Sequence, residues 1–237
     1  MHPIAIFLAF SSMQGDLQFE RTKISDTKYE AASVFDVNKD GALDIVSGEF
    51  WYPGPTFSER HFVCTVKPEG DYFDDFADFP MDVNGDGYLD IVSGAWFGQK
   101  MTWRENPQGK PVEWTVHDIA EVGNVERPMF CDIDDDGDLD IARNTTGRPQ
   151  RIFRLDRDAS GKPLGTFQEH TISPVPTGHG LGHGDLNGDG RMDLIVWNGW
   201  FEAPAKPFTE EWIWHNEPKL FQSASVPILV HDVNADG

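Results

Sequence analysis

The chain has 237 residues, with 40 Asp and Glu against 19 Lys and Arg and a net charge of −21. Phosphate-rich partners would be repelled, which excludes a nucleic-acid groove and an anionic membrane surface, and no run of 18 apolar residues offers a spanning helix. With 39% apolar residues, 12% aromatics, 23 Gly and 16 Pro, the composition predicts a turn-rich, strand-rich all-β chain with enough apolar material for a core.

The first ten residues, MHPIAIFLAF, read as a short signal-peptide core, with Ala9 and Ser11 as small residues before a cleavage site. No Lys or Arg precedes the apolar stretch, so the alternative is an apolar first strand or a mis-called start. Residues 1–15 are set apart on that ground, and 16–237 read as one domain. Cys64 and Cys131 are the only cysteines. They make no disulfide framework and no zinc cluster, and they fall in a fourth and a first strand too far apart to bond.

Internal repeats then decide the organisation. DVNKDGALDIVSG starts at Asp36, DVNGDGYLDIVSG at Asp82, DIDDDGDLDIARN at Asp132, DLNGDGRMDLIVW at Asp185 and DVNADG at Asp232. The spacings are 46, 50, 53 and 47 residues, a period that predicts a propeller or solenoid array. The pattern D-x-[DN]-x-D-G-x-x-D puts oxygen side chains at positions 1, 3, 5 and 9, with a backbone carbonyl at 7 and a turn glycine at 6. Hard oxygen ligands at that density select Ca²⁺. The ligand sets are Asp36, Asn38, Asp40, Ala42 and Asp44; Asp82, Asn84, Asp86, Tyr88 and Asp90; Asp132, Asp134, Asp136, Asp138 and Asp140; Asp185, Asn187, Asp189, Arg191 and Asp193; and Asp232, Asn234 and Asp236. A helical Ca²⁺ hand is excluded, because position 12 is Ser47, Ser93, Arg143 and Val196 rather than Glu. For any single copy the alternative is an Asx-rich hairpin turn without metal.

Four strands per unit can be read around each loop. ASVFDV, FADFPMDV, RPMFCDI or VPILVHDV precedes it, and DIVSG or DLIVW follows. MTWRENP, RIFRLDR or EWIWHNE comes third, and WTVHDI or FQEHTI closes the unit. Near the N-terminus FERTKI (residues 19–24) has the closing pattern.

These five motifs and their strands resemble the FG-GAP/VCBS-type repeat family of calcium-binding β-propellers with integrin-like loops. The resemblance implies four-stranded antiparallel blades around a channel, commonly seven. It divides the chain into blades at about 31–76, 77–127, 128–178 and 179–226, with the start of another at 227–237. FERTKI would then close the last blade from outside, and the chain reads as an N-terminal fragment of a seven-bladed propeller. One Ca²⁺ per complete repeat is expected.

The loops entering the innermost strands would line the channel mouth. Six residues before each motif stand Glu30, Phe76, Glu126 and His179, with Asp74, Asp75, Asp78, Arg127 and His183 close by. The loops after the second strands carry Trp51 and Tyr52, Trp96 and Phe97, Trp200 and Phe201, with Glu49, Asn144 and Glu202. Acids beside exposed rings suit a sugar site, with Trp51, Trp96, Trp200 and Arg127 as contacts; for the three tryptophans the alternative is packing. In GHGLGHG, His179 and His183 share one face if extended. They hold a second divalent metal with a carboxylate from another blade, or else His183 bonds a calcium-loop carbonyl and His179 lines the channel. Trp103, Trp114, Trp212 and Trp214 are expected to pack between blades, and His117, His170 and His215 to be structural.

The leading expectation is a calcium-stabilised binding propeller for a glycan or an extracellular protein, placed outside the cell, in the periplasm or on the cell surface. The competing one is a carbohydrate lyase or dehydratase acting at the channel mouth. There His179 and His183 would hold the metal, with Glu126, Asp75 or Glu30 as base. A surface adhesin is a third.

Overall fold

The computed structural model describes residues 20–143, 145–217 and 227–231. Among these residues there is no helix, and none long and apolar enough to cross a membrane. The first sheet is β1 (Ser33–Phe35), β2 (Asp44–Ser47), β3 (Phe50–Tyr52) and β4 (His61–Phe62). A small hairpin follows, β5 (Pro68–Glu69) and β6 (Tyr72–Phe73). The second sheet is β7 (Ala77–Met81), β8 (Asp90–Gly94), β9 (Lys100–Glu105) and β10 (Thr115–Glu121). The third is β11 (Met129–Cys131), β12 (Asp140–Ala142), β13 (Pro149–Arg157) and β14 (Pro163–Pro176). The fourth is β15 (Gly182–Gly184), β16 (Asp193–Val196), β17 (Gly199–Glu202) and β18 (Ile213–Asn216). Each sheet is antiparallel, with its strands in chain order.

The local sequence explains this layout. Each Asp-rich loop joins a first strand to a second. The second strands read DIVS, DIVSG, DIA and DLIV, short apolar runs suited to burial on both faces. In β8 and β16 every residue is buried. Position 6 of each loop has φ between the αL and mirror-β regions: Gly41 +88°, Gly87 +87°, Gly137 +92° and Gly190 +84°. A side chain there would be strained, so glycine is what lets these loops close.

The sheets pack in series through shared cores. Val37, Trp51 and Val63 of the first sheet meet Ile91 and Trp114 of the second. Val92, Met101 and Trp103 of the second meet Ile141 and Phe153 of the third. Ala142 and Ile152 of the third meet Leu194, Phe201 and Trp212 of the fourth. Full burial of one such aliphatic or aromatic side chain contributes ~1.5–3 kcal/mol. The first strands stand beside one another: β1 lies against β7 and β11 against β15. Phe79 of β7 stacks on Phe130 of β11 with centroids 3.7 Å apart. Residues 227–231 continue the series, because Ile228 N donates to Leu181 O at 3.1 Å. A Cβ on Gly182 would lie 2.5 Å from Ile228 O, so glycine permits this approach.

Three sequence expectations change or fall outside. Residues 20–24 form no strand, so the closing strand expected at FERTKI is not formed there. EWIWHNE supplies β18, a fourth strand rather than a third, because the third is already made by Gly199–Glu202 directly after a two-residue turn. Residues 1–15, Asn144 and the fifth motif residues Asp232, Asn234 and Asp236 lie outside the described residues.

Candidate functional site

Two regions gather chemistry: the Asp-rich loops, and the opposite ends of the strands where the entering loops converge.

In the loops, position 1 accepts backbone N–H from positions 5 and 6. Asp36 takes Asp40 N at 3.1 Å and Gly41 N at 2.9 Å. Asp82, Asp132 and Asp185 repeat this with Asp86 and Gly87, Asp136 and Gly137, and Asp189 and Gly190. Asn38, Asn84 and Asn187 at position 3 accept from position 5, at 3.0 Å each. Asp40, Asp86, Asp136 and Asp189 accept from the N–H of Ala42, Tyr88, Asp138 and Arg191. Each loop therefore coils around its own side-chain oxygens.

Position 9 behaves differently. Asp44, Asp90, Asp140 and Asp193 are buried. Asp90 Oδ2 accepts Val83 N at 2.9 Å, and its Oδ1 accepts Asn106 N at 2.8 Å. Asp44 takes Val37 N and Gly54 N, and Asp193 takes Leu186 N and Ala203 N. Asp140 takes Ile133 N at 3.2 Å. Each of the first, second and fourth clamps thus ties its loop to the chain just behind the third strand. Burial pushes Asp90 and Asp140 up to about 7, against the backbone bonds that favour the anion. Asp44 and Asp193 are raised for the same reason.

The third loop fits a cation best. Asp132, Asp134 and Asp136 each offer an oxygen within 4.8 Å of the others. Asp134 Oδ1 is buried without a hydrogen-bond partner. Burial raises the Asp134 pKa; Arg154 opposes, and the charges of Asp136 and Asp132 add. Arg154 Nη1 reaches Asp134 Oδ2 at 3.1 Å and its other nitrogen bonds Asp136, while Arg157 Nε meets Asp138 Oδ2 at 2.7 Å. An oxygen set with an orphaned buried atom and excess negative charge is the chemistry a hard cation satisfies. In the fourth loop Arg191 bonds Asp189, so the side chain at that position 7 meets loop charge as well.

At the other ends, three sheets bring side chains together. Glu126, on the loop entering β11, hydrogen-bonds His179 Nε2, on the loop entering β15. Trp96, from the β8–β9 connection, lies edge-on to His179 with centroids 5.3 Å apart. Asn124 Nδ2 holds Trp96 O at 2.9 Å. Asp74 pins the same connection by accepting Phe97 N at 2.8 Å and Gly98 N at 2.6 Å. Phe97 and Tyr72 are exposed, and with Phe76 they form a three-ring group with centroids 6.1–6.4 Å apart. Beside it, Glu30, Phe76 and Arg127 line a cleft of about 470 Å³ between β1, β7 and β11. Glu30 and Arg127 are exposed there.

Other predicted site residues are placed elsewhere. Asp75 is fully buried, with Arg104 Nη2 at 2.8 Å and Ser93 Oγ at 2.7 Å on its Oδ1, so it is withdrawn from the surface. His183 Nδ1 faces Met192 Sδ at 3.2 Å, and burial lowers its pKa. The two histidines thus engage different partners, and the gathered ligand group among the described residues contains neither. Trp51 and Trp200 are not counterparts of Trp96. They sit inside β3 and β17, directly opposite His61 and His215, as Trp103 sits opposite His117. Trp200 stacks on His215 at 4.0 Å and Trp103 on His117 at 4.3 Å, with Glu202 and Glu105 bonding those imidazoles. Counting from the motif aligned them wrongly, because the second-to-third connection has two residues in the first and fourth sheets and five in the second. Sequence reasoning missed Tyr72, which the β5–β6 hairpin carries against Phe76 and Phe97. Its signal was the Glu69-Gly70-Asp71 turn between short extended pairs.

Residues 82–143 match the model of the FG-GAP-like repeat family, from the second Asp-rich loop to the end of β12. This segment resembles an FG-GAP-like repeat. It spans more than one period and takes in the second loop, β8, β9 and β10 of the second sheet, and β11, the third loop and β12 of the third. A search of curated proteins returns no match.

Proposed function

We propose that the FG-GAP-like repeats build a calcium-stabilised β-propeller module that binds a glycan or an extracellular protein at the end carrying Trp96, Glu126 and His179. The convergence of those three residues from three successive sheets carries the reading, because a pure scaffold has no need of a half-buried indole edge-on to an acid–imidazole pair. The aromatic group offers apolar faces to a pyranose, and Glu30, Glu126 and Arg127 offer partners for its hydroxyls. Ca²⁺ would be held in each complete loop by positions 1, 3 and 5, the carbonyl of position 7 and the clamp at position 9, where it would neutralise the carboxylates and rigidify the loop. Extracellular, periplasmic or surface placement follows from that demand for calcium. The test is elemental analysis after exhaustive dialysis, then a glycan array with the calcium-loaded protein. Calcium near one per repeat and binding lost in Trp96→Ala are expected; absence of calcium overturns the reading.

The Glu126–His179 pair favours a second reading, a lyase or dehydratase. In it, His179 takes the proton from the carbon next to a carboxylate or carbonyl, the freed electron pair forms the C=C bond as the β C–O bond breaks, and the imidazolium, stabilised by Glu126, returns the proton to the departing oxygen. Formation of an unsaturated product from uronate polymers, absent in His179→Ala, is the expected result; no product from any polymer overturns it.

A further inference from the structure

A second cleft lies between the second and third sheets and is lined by Arg143, Arg148 and Arg151 together with Phe97, Gln99 and Glu121. Its volume is about 350 Å³, within the range of small-molecule sites. Three guanidinium groups in one cleft stand out in a chain of net charge −21.

Arg143 is 1% exposed, and among the described residues one of its nitrogens has a partner: Nη2 donates to Pro149 O at 2.7 Å. Its Nε and Nη1 are buried without a partner. Burial, with Arg151 and Arg148 adding and Glu169 opposing, pushes Arg143 down to about 10. Arg151 Nη1 meets Glu169 Oε1 at 2.5 Å, yet its Nε is also an unpartnered buried donor. Arg148 is exposed. Buried guanidinium donors left open are costly unless an acceptor arrives, and the planar fork of arginine matches oxyanions bidentately. Glu121 sets a limit on the site by its own charge. Phe97 lines this cleft and also belongs to the exposed ring group with Tyr72 and Phe76. A ligand seated here therefore meets Phe97 and the exposed Arg148 in one cleft, with the unpartnered donors of Arg143 and Arg151 buried in its wall.

We propose that this cleft is an oxyanion subsite that takes the carboxylate or sulfate group of an acidic sugar, with the sugar ring against Phe97. The proposal rests on the reading that this end of the molecule binds glycans, and it narrows the ligand to an anionic one. An acidic peptide would satisfy the arginines but would leave the exposed ring group unused.

The test is calorimetric titration of the full, calcium-loaded chain with four probes: a galacturonic acid hexamer, a sulfated heparin-type hexasaccharide, a neutral galactose hexamer and a poly-glutamate peptide. Arg148→Gln is the main variant, since its exposed side chain can change without opening the core. At least one acidic hexamer is expected to bind about tenfold or more tighter than the neutral one, as a charged hydrogen bond requires. Arg148→Gln is expected to remove about tenfold from acidic binding, weaken its salt dependence and leave neutral binding unchanged. Which acidic hexamer responds identifies carboxylate or sulfate as the group. Equal binding of acidic and neutral hexamers, or acidic binding indifferent to Arg148→Gln, overturns the subsite and leaves the glycan reading standing. Binding of no hexamer overturns both. Poly-glutamate binding tighter than any hexamer overturns the sugar in favour of a peptide.

Discussion

The carboxylates of one loop do two different jobs, and mutations can separate them. Asp86 is a rim oxygen whose visible bonds are to Tyr88 N and Gln108 Nε2. Asp86→Ala is expected to abolish most of the stabilisation gained on adding calcium, about 2.7 kcal/mol per site at a hundredfold excess over Kd, while changing little in chelator. Equal losses in both conditions, read by thermal melts, would make Asp86 a turn residue only. Asp90→Ala removes the acceptor of two buried N–H groups, those of Val83 and Asn106. It is expected to cost about 1–3 kcal/mol per orphaned group whether calcium is present or not. The cysteines make a simpler case. Cys64 and Cys131 are free and buried, and burial pushes the Cys131 thiol up to about 12. Neither should react with a thiol reagent until denaturant is added; rapid labelling of the native chain would contradict the packing.

At the scale of elements, the first and second sheets are stitched by polar groups as well as by a core. Arg104 on β9 holds Asp75 at 2.8 Å and Asp78 at 3.2 Å and donates to Gly48 O in the first sheet at 3.2 Å. Burial works against the Arg104 charge, and Asp75 and Asp78 outweigh it, so its pKa is raised. Arg104→Leu should cost about 3–5 kcal/mol by leaving the buried acidic side chains of Asp75 and Asp78 without their partner, and adding Asp75→Asn and Asp78→Asn should recover much of it. A triple variant no better than the single one, judged by urea midpoint, would place the loss in packing instead. Strand identity was largely legible in the sequence. The D-x-[DN]-x-D-G loops mark where a first strand ends, and DIVSG or DLIV marks a buried second strand. Third strands were not legible in the first and fourth sheets, because Gly48-Glu49 and Trp197-Asn198 make turns so tight that FWY and GWFE read as loop. Of the mouth residues, Glu126, His179 and Trp96 were named from the sequence, because the inner strands keep register with their motifs. The fate of Asp75 was not legible, since it depends on Arg104, 29 residues away.

For the whole molecule, the buried acids set a pH dependence. Asp78 is raised by burial and by Asp75, with Arg104 opposing, and Asp90 and Asp140 lie at about 7 instead of 3.8. These groups keep their protons in the fold where the unfolded chain has released them. Their contribution is therefore full below the ordinary carboxylate range and is lost as pH rises towards 7. The chelated protein should be less stable at about pH 7.5 than at about pH 5.5, and calcium should flatten or reverse the trend by favouring the anions. A urea midpoint that climbs with pH in chelator would contradict this. The position 9 clamp has a further consequence, for the order of assembly. One oxygen of Asp44, Asp90 and Asp193 needs the loop, and the other needs the chain leaving the third strand. A two-strand hairpin cannot satisfy both, so the smallest self-consistent folding unit is three strands with their loop. Amide exchange reports it directly: Val37 should open in step with Gly54, Val83 with Asn106, and Leu186 with Ala203, although 17 to 23 residues separate the members of each pair.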